Sequence, residues 1–96
     1  MNADQLRART KQFTLRVMNV VAALPDNARG RVVQYQLMKS GSSVGANYRA
    51  VCRARTRKDF INKLGVVIEE ADESAYWLAV IGEGNVLAPK LVAPLL

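Results

Sequence analysis

Residues 33–51 read VQYQLMKSGSSVGANYRAV, a stretch whose centre is small and polar and whose two ends are more apolar. Core-type positions follow one another through it at intervals of four and three residues: Val33, Leu37, Ser40, Val44, Asn47 and Val51. Because this series keeps its phase at Gly41 and Gly45, it predicts one continuous helix that begins near residue 28.

The small residues in this predicted helix indicate close packing. A glycine inside a helix costs about 1 kcal/mol relative to alanine, and a closely approaching backbone usually offsets that cost. The sequence therefore predicts a thin face for tight helix–helix contact, formed by Ser40, Gly41, Ser43, Gly45 and Ala46. Asn47 occupies an otherwise apolar position, where one polar residue can fix register or oligomeric state. Ser43 lies one turn earlier and is placed to share its hydrogen bonds, so we interpret Asn47 as structural.

The same period predicts two further long helices, at residues 4–24 and 57–82. Pro25-Asp26-Asn27 supplies the first turn, and Thr56 with Asp59 resembles a capping box at the start of the third helix. A shorter fourth segment, residues 88–96, begins like a helix with Pro89 in its first turn. The prediction is one all-α domain over residues 1–96, an antiparallel up-down four-helix bundle with helices at 4–24, 28–53, 57–82 and 88–96, the fourth short or truncated.

The sequence lacks the residues that a catalytic, phosphate-binding or zinc-binding site would need here. Gly41 to Gly45 matches G-x-S-x-G, but the chain has no histidine to act as base, and the motif lies within a helical period. A phosphate-binding loop needs Lys after its last glycine, where this chain has Ala46. One cysteine and no histidine exclude a structural zinc site. We therefore expect no enzyme activity, catalytic residue, cofactor or metal.

Charge is distributed unevenly along the chain. Residues 1–58 hold twelve Lys and Arg against two acids, a balance of +10, whereas residues 59–96 hold two against six, a balance of −4. A basic half suggests a polyanionic partner. The candidate nucleic-acid-binding residues are Arg49, Arg53, Arg55, Arg57, Lys58, Arg7, Arg9 and Lys11.

Ion pairing is the alternative explanation of these cations. In that case the protein is a scaffold or interaction module whose arginines pair with Glu69, Glu70 and Glu73 of a neighbouring subunit, and the sequence leaves both possibilities open. No apolar run approaches the roughly 20 residues of a membrane helix, and the N-terminus does not resemble a signal peptide. A cytoplasmic location is the default expectation.

YQLMKSGSSVGANYRAVCRARTRKDFINKLGVVIEEADESAYWL, residues 35–78, resembles a bacterial family. It is similar to the four-helix-bundle proteins encoded in intervening sequences of 23S rRNA genes, and to the related accessory variability determinant of diversity-generating retroelements. The matching motifs are Gln36-Leu37, Ser43-Val44-Gly45-Ala46-Asn47 and the capped helix start at residues 56–61. Many members have Glu-Gly where this chain has Ala50-Val51, so a role of that Glu cannot be transferred. The fourth helix of the family is also usually longer.

The resemblance implies a ring assembly, commonly a homopentamer, without enzyme activity. For retroelement relatives it implies binding of nucleic acid and of a reverse transcriptase through a basic surface. The residues themselves also predict a homo-oligomer, since a short fourth segment would leave an apolar groove between three long helices that neighbouring subunits could cover. Only the resemblance favours the pentamer.

Overall fold

A computed structural model describes residues 2–87, which form three α-helices. The helices are α1 (Ala3–Ala23), α2 (Ala28–Cys52) and α3 (Arg57–Glu83). Their ends differ from the predicted bounds by one residue at most. The helix predicted at residues 88–96 lies outside the described residues. No helix within residues 2–87 has a stretch apolar and long enough to span a bilayer.

The predicted all-α class is confirmed, but the predicted four-helix bundle is wrong. The described chain has three helices, with α2 packed against both α1 and α3. The prediction counted a fourth helix because residues 88–96 begin like a helix with Pro89 in the first turn, and those residues lie outside the described part of the chain. In the described chain two core clusters lie among these three helices, while large apolar side chains of α3 such as Ile61 and Ile68 remain exposed.

Each helix begins at a side chain that accepts a backbone N–H. Asn2 and Gln5 form a reciprocal capping box on α1, and the Asn27 side chain accepts from the Gly30 N–H at 2.8 Å. Thr56 Oγ1 accepts from the Asp59 N–H at 3.0 Å, which is half of the predicted box. The Asp59 carboxylate instead pairs with Lys63 at 3.0 Å. Short polar caps thus set all three helix starts.

The core consists of two clusters separated by a buried polar contact. One cluster contains Val17, Val20, Leu24, Val33, Leu37, Leu78 and Ile81, and the other contains Val44, Tyr48, Val51 and Val67. Between them along α2 and α3, the hydroxyls of Ser40 and Ser74 are hydrogen-bonded at 3.1 Å. Both serines are fully buried, whereas Phe60 and Ala71 of α3 are exposed.

Replacement of the α3 cap should cost measurable stability. We expect Thr56→Ala to lower the free energy of unfolding by about 1 kcal/mol, because the Asp59 N–H loses its acceptor. Thr56→Ser retains a hydroxyl at the same position, so its free energy of unfolding should be close to that of the parent protein. Urea unfolding followed by circular dichroism provides the measurement, and an equal loss in both variants would contradict the capping role.

Candidate nucleic-acid interface

The seam between α1 and α2 is narrow because α2 presents glycines to α1. A Cβ atom at Gly41 would lie 2.7 Å from Val17 Cγ1, and one at Gly45 would lie 3.2 Å from the Thr10 carbonyl oxygen. Thr14 Oγ1 on α1 donates to the Gly41 carbonyl at 3.1 Å. The two helices therefore approach closely enough that side chains on their outer edges surround a common groove.

This groove has a cavity volume of about 280 Å³ and is basic. Its lining residues come from both helices: Arg7, Lys11, Thr14, Ser42, Gly45, Ala46 and Arg49. Arg7 and Lys11 lie one turn apart on α1, while Arg49 belongs to the last turns of α2. The antiparallel packing thus brings together cations that are about 40 positions apart in the sequence, with no carboxylate among the lining residues.

A second groove meets the first at Ser42 and continues along the same side of the seam. It has a volume of about 530 Å³ and is lined by Val21, Arg31, Gln34, Tyr35, Met38, Lys39 and Ser42. The Gln34 amide Nε2 donates to the Val21 carbonyl at 3.3 Å and holds the two helices together there. We call the combined surface of both grooves the basic face; its exposed cations are Arg7, Lys11, Arg31, Lys39 and Arg49.

Four other predicted cations lie at the end of this face. Arg53 is the C-cap of α2, one turn after Arg49, and Arg55, Arg57 and Lys58 are exposed around the turn into α3. Arg9 lies elsewhere: it follows Arg7 by two positions, which turns it about 200° around the axis of α1. Arg9 lines neither groove, and neither do the four cations after Arg49, so only Arg7, Lys11 and Arg49 of the eight predicted binding residues line a groove.

Few of the cations on the basic face and around the turn into α3 have a carboxylate partner within residues 2–87. The ion pairs of that range join Arg7 to Asp4, Arg31 to Asp26 at 2.9 Å and Lys63 to Asp59 at 3.0 Å. Among the eight predicted binding residues, only Arg7 has such a contact in the described part of the chain. Exposed pairs of this kind contribute about 0–1 kcal/mol and exchange readily. Of the five cations of the basic face, Arg7 and Arg31 therefore have a carboxylate partner in the described chain, whereas Lys11, Lys39 and Arg49 have none.

Of the two tyrosines of α2, one is buried and the other is exposed. Tyr48, the aromatic residue interleaved with the basic run, is buried in the core, and Tyr35 is 66% exposed. Burial raises the pKa of the Tyr48 phenol, as does the adjacent Cys52 thiol, while the Arg7 guanidinium opposes the shift. Sequence reasoning missed Tyr35 as a surface residue of this face. The signal was its position one turn from both Arg31 and Lys39.

The predicted helix-contact residues have different environments. Gly41 and Gly45 are buried against α1, whereas Ala46 is exposed. The Asn47 amide Nδ2 donates to the Ser43 backbone carbonyl at 2.8 Å, and the Ser43 hydroxyl donates to the Lys39 carbonyl at 2.6 Å. Both side chains are therefore held by their own helix within the described chain. In residues 2–87, no group of three His, Cys, Asp or Glu side chains is arranged to hold a metal.

Comparison with known proteins places this three-helix, basic-faced chain in a family. Residues 5–96 match the family model of the 23S rRNA-intervening sequence protein. Since the match covers nearly the whole chain, the protein belongs to this family, and the resemblance to the intervening-sequence proteins is confirmed. Kinship with the retroelement determinant stays a prediction.

A solved structure has the same fold. The chain is similar to the 1.70 Å crystal structure of a protein of unknown function from the S23 ribosomal protein family of Bacteroides thetaiotaomicron VPI-5482. The TM-score is 0.89 at 29% sequence identity, over 99% of this chain and 85% of that chain. No curated protein matches the chain significantly.

Proposed function

We propose that this protein is a non-enzymatic nucleic-acid-binding protein that contacts RNA through its basic face. The observation that supports the proposal most is the convergence of Arg7, Lys11 and Arg49 on one groove whose lining contains no carboxylate. Guanidinium groups bind phosphate oxygens through paired hydrogen bonds and keep their charge at all physiological pH values. RNA is favoured over DNA because the family name refers to 23S rRNA.

A homo-oligomer is part of this proposal. Several large apolar side chains of α3 are exposed in the described chain, among them Ile61 at 56% and Ile68 at 62%. Contact between copies would remove this surface from water at about 25 cal/mol per Å². The resemblance implies a pentamer and, for a retroelement relative, a reverse transcriptase partner, and a cytoplasmic location stays the default expectation from the sequence. Repetition of the basic face around an assembly would multiply its phosphate contacts.

The salt dependence of binding tests the role of the basic face. Each phosphate contact on a single strand contributes about 0.7 to the slope of log K against log salt concentration. We expect the double variant Lys11→Gln, Arg49→Gln to make this slope shallower by about 1.4. The matched control is Arg9→Gln, Arg16→Gln, which removes the same charge from residues outside both grooves.

Fluorescence anisotropy with labelled RNA, from low to physiological salt, provides the measurement. Absence of binding by the parent protein at low salt would refute the proposed function. Equal changes of slope in the two double variants would show that net charge, and not the basic face, accounts for binding.

The scaffold function is the second candidate, and the exposed surface of α3 favours it. Glu69, Asp72 and Glu73 are exposed there beside the apolar side chains, and within residues 2–87 they form no ion pair. In this case Arg49 would pair with acids of a neighbouring copy. Arg49→Gln would then shift the oligomeric state in analytical ultracentrifugation, whereas a nucleic-acid role leaves the assembly unchanged.

A further inference from the structure

Tyr35 gives the basic face a feature that phosphate binding alone does not require. Its side chain is 66% exposed in the wider groove, and tyrosine is enriched at interfaces because its ring is apolar and its hydroxyl polar. We infer that Tyr35 stacks on a base, so that the basic face binds single-stranded rather than duplex nucleic acid. This inference rests on the proposed function and names the form of its ligand.

The spacing of α2 places cations on both sides of this ring. Arg31 and Lys39 precede and follow Tyr35 by four residues, about 6 Å along the helix axis in each direction. Both line the same groove as Tyr35. Arg31 also contacts Asp26 at 2.9 Å, but Asp26 is 92% exposed, so a phosphate can replace it at little cost. A base over Tyr35 would thus have a cation near the phosphate on either side.

The groove beside Tyr35 suits a flat, partly apolar group. Val21 and Met38 contribute apolar surface, and Gln34 contributes an amide. The groove is a shallow depression open to solvent, which leaves one face of the Tyr35 ring accessible to a base. Bases in a duplex are stacked on one another and cannot reach such a site, whereas unpaired bases stack readily on aromatic side chains.

The middle of the basic face leaves room for a continuous strand of nucleic acid. The side chains between the Tyr35 groove and Arg49 are small, with Ser42 at the junction of the two grooves and Ala46 one turn further on. Cations then recur on the same side of α2 at Arg49 and Arg53. From Arg31 to Arg53 the path along the helix is about 33 Å at 1.5 Å per residue. A single strand along this path would meet one aromatic residue and four cations of α2.

Tyrosine substitutions on the full chain test the stacking directly. A labelled oligouridine and a blunt RNA duplex of equal strand length serve as probes. We expect Tyr35→Ala to weaken binding of the oligouridine about 5-fold or more, and Tyr35→Phe to retain it, because the ring and not the hydroxyl stacks. Tyr76→Ala removes another tyrosine of similar exposure, 60%, from α3 and should bind as the parent does.

The outcomes separate this inference from the proposed function. If Tyr35→Ala binds the oligouridine as tightly as Tyr76→Ala does, while Lys11→Gln, Arg49→Gln weakens binding, the stacking role is refuted and the function stands. Preference of the parent protein for the duplex would also overturn the single-strand inference. Failure to bind either probe at low salt refutes both. Thermal unfolding of each variant verifies that the compared proteins are equally folded.

Discussion

Leu37→Ala will lower the free energy of unfolding by about 2–5 kcal/mol. Leu37 has no exposed surface and lies in the cluster where α2 meets Val17 of α1 and Leu78 of α3. Truncation leaves a cavity that all three helices would have to move to fill. The whole stability of a small domain is about 5–15 kcal/mol, so this one change should remove a large part of it.

Leu15→Ala is the matched control for this variant. The same atoms are removed, but Leu15 is 46% exposed on α1 and belongs to neither core cluster. We expect a loss within about 0.5 kcal/mol, as is usual for surface substitutions. Urea unfolding at one fixed protomer concentration is required, because assembly would make the midpoint depend on concentration. A loss at Leu37 no larger than that at Leu15 would show that the buried cluster is wrongly placed.

Gly30→Ala will destabilise the protein although alanine is the better helix former. A Cβ atom at Gly30 would lie 1.8 Å from the Pro25 carbonyl oxygen, a backbone atom that cannot turn aside as a side chain can. The turn between α1 and α2 would have to shift, together with the Asn27 cap that accepts the Gly30 N–H. We expect a net loss of about 1–3 kcal/mol, the usual cost of overpacking.

The same substitution at Gly65 should stabilise the protein instead of destabilising it. Apart from the adjacent residues and the backbone of the same helix turns, no heavy atom of the described chain lies within 4 Å of a Cβ at Gly65 in α3. Alanine there should raise the free energy of unfolding by about 0.5–1 kcal/mol through its helix preference. Thermal and urea unfolding of both variants provide the comparison. A gain in stability for Gly30→Ala would contradict the close approach of the α1–α2 turn.

Helix positions were predictable because helical period is a local property. The four–three series through Ser40 and Val44 identified α2 as one helix despite its glycines, and Thr56 with Asp59 marked the start of α3. The number of packed helices was not predictable in the same way. An amphipathic stripe shows that a helix needs a partner, but it does not state which element supplies it.

The candidate site was predicted in part. The sequence identified the basic half and the group of arginines from Arg49 onward, since net charge requires no structure. The prediction grouped Arg9 with Arg7, although two positions turn a residue about 200° around a helix axis, and it did not identify Tyr35 as a surface residue of the basic face. Those assignments depend on which sector of each helix faces its neighbour, and that sector is set by how closely the two helices pack.

Sequence alone thus established the helical class, the three long helices and the excess of positive charge, because each depends on residues near one another in the chain. Tertiary structure alone established the basic face. Gly41 and Gly45 let α1 approach α2, and this contact joins Arg7 and Lys11 to Arg49 across about 40 positions of sequence. It also directs Tyr35 outward between two cations. Helix packing, and not composition, therefore determines that these cations and Tyr35 lie together on one side of the α1–α2 seam.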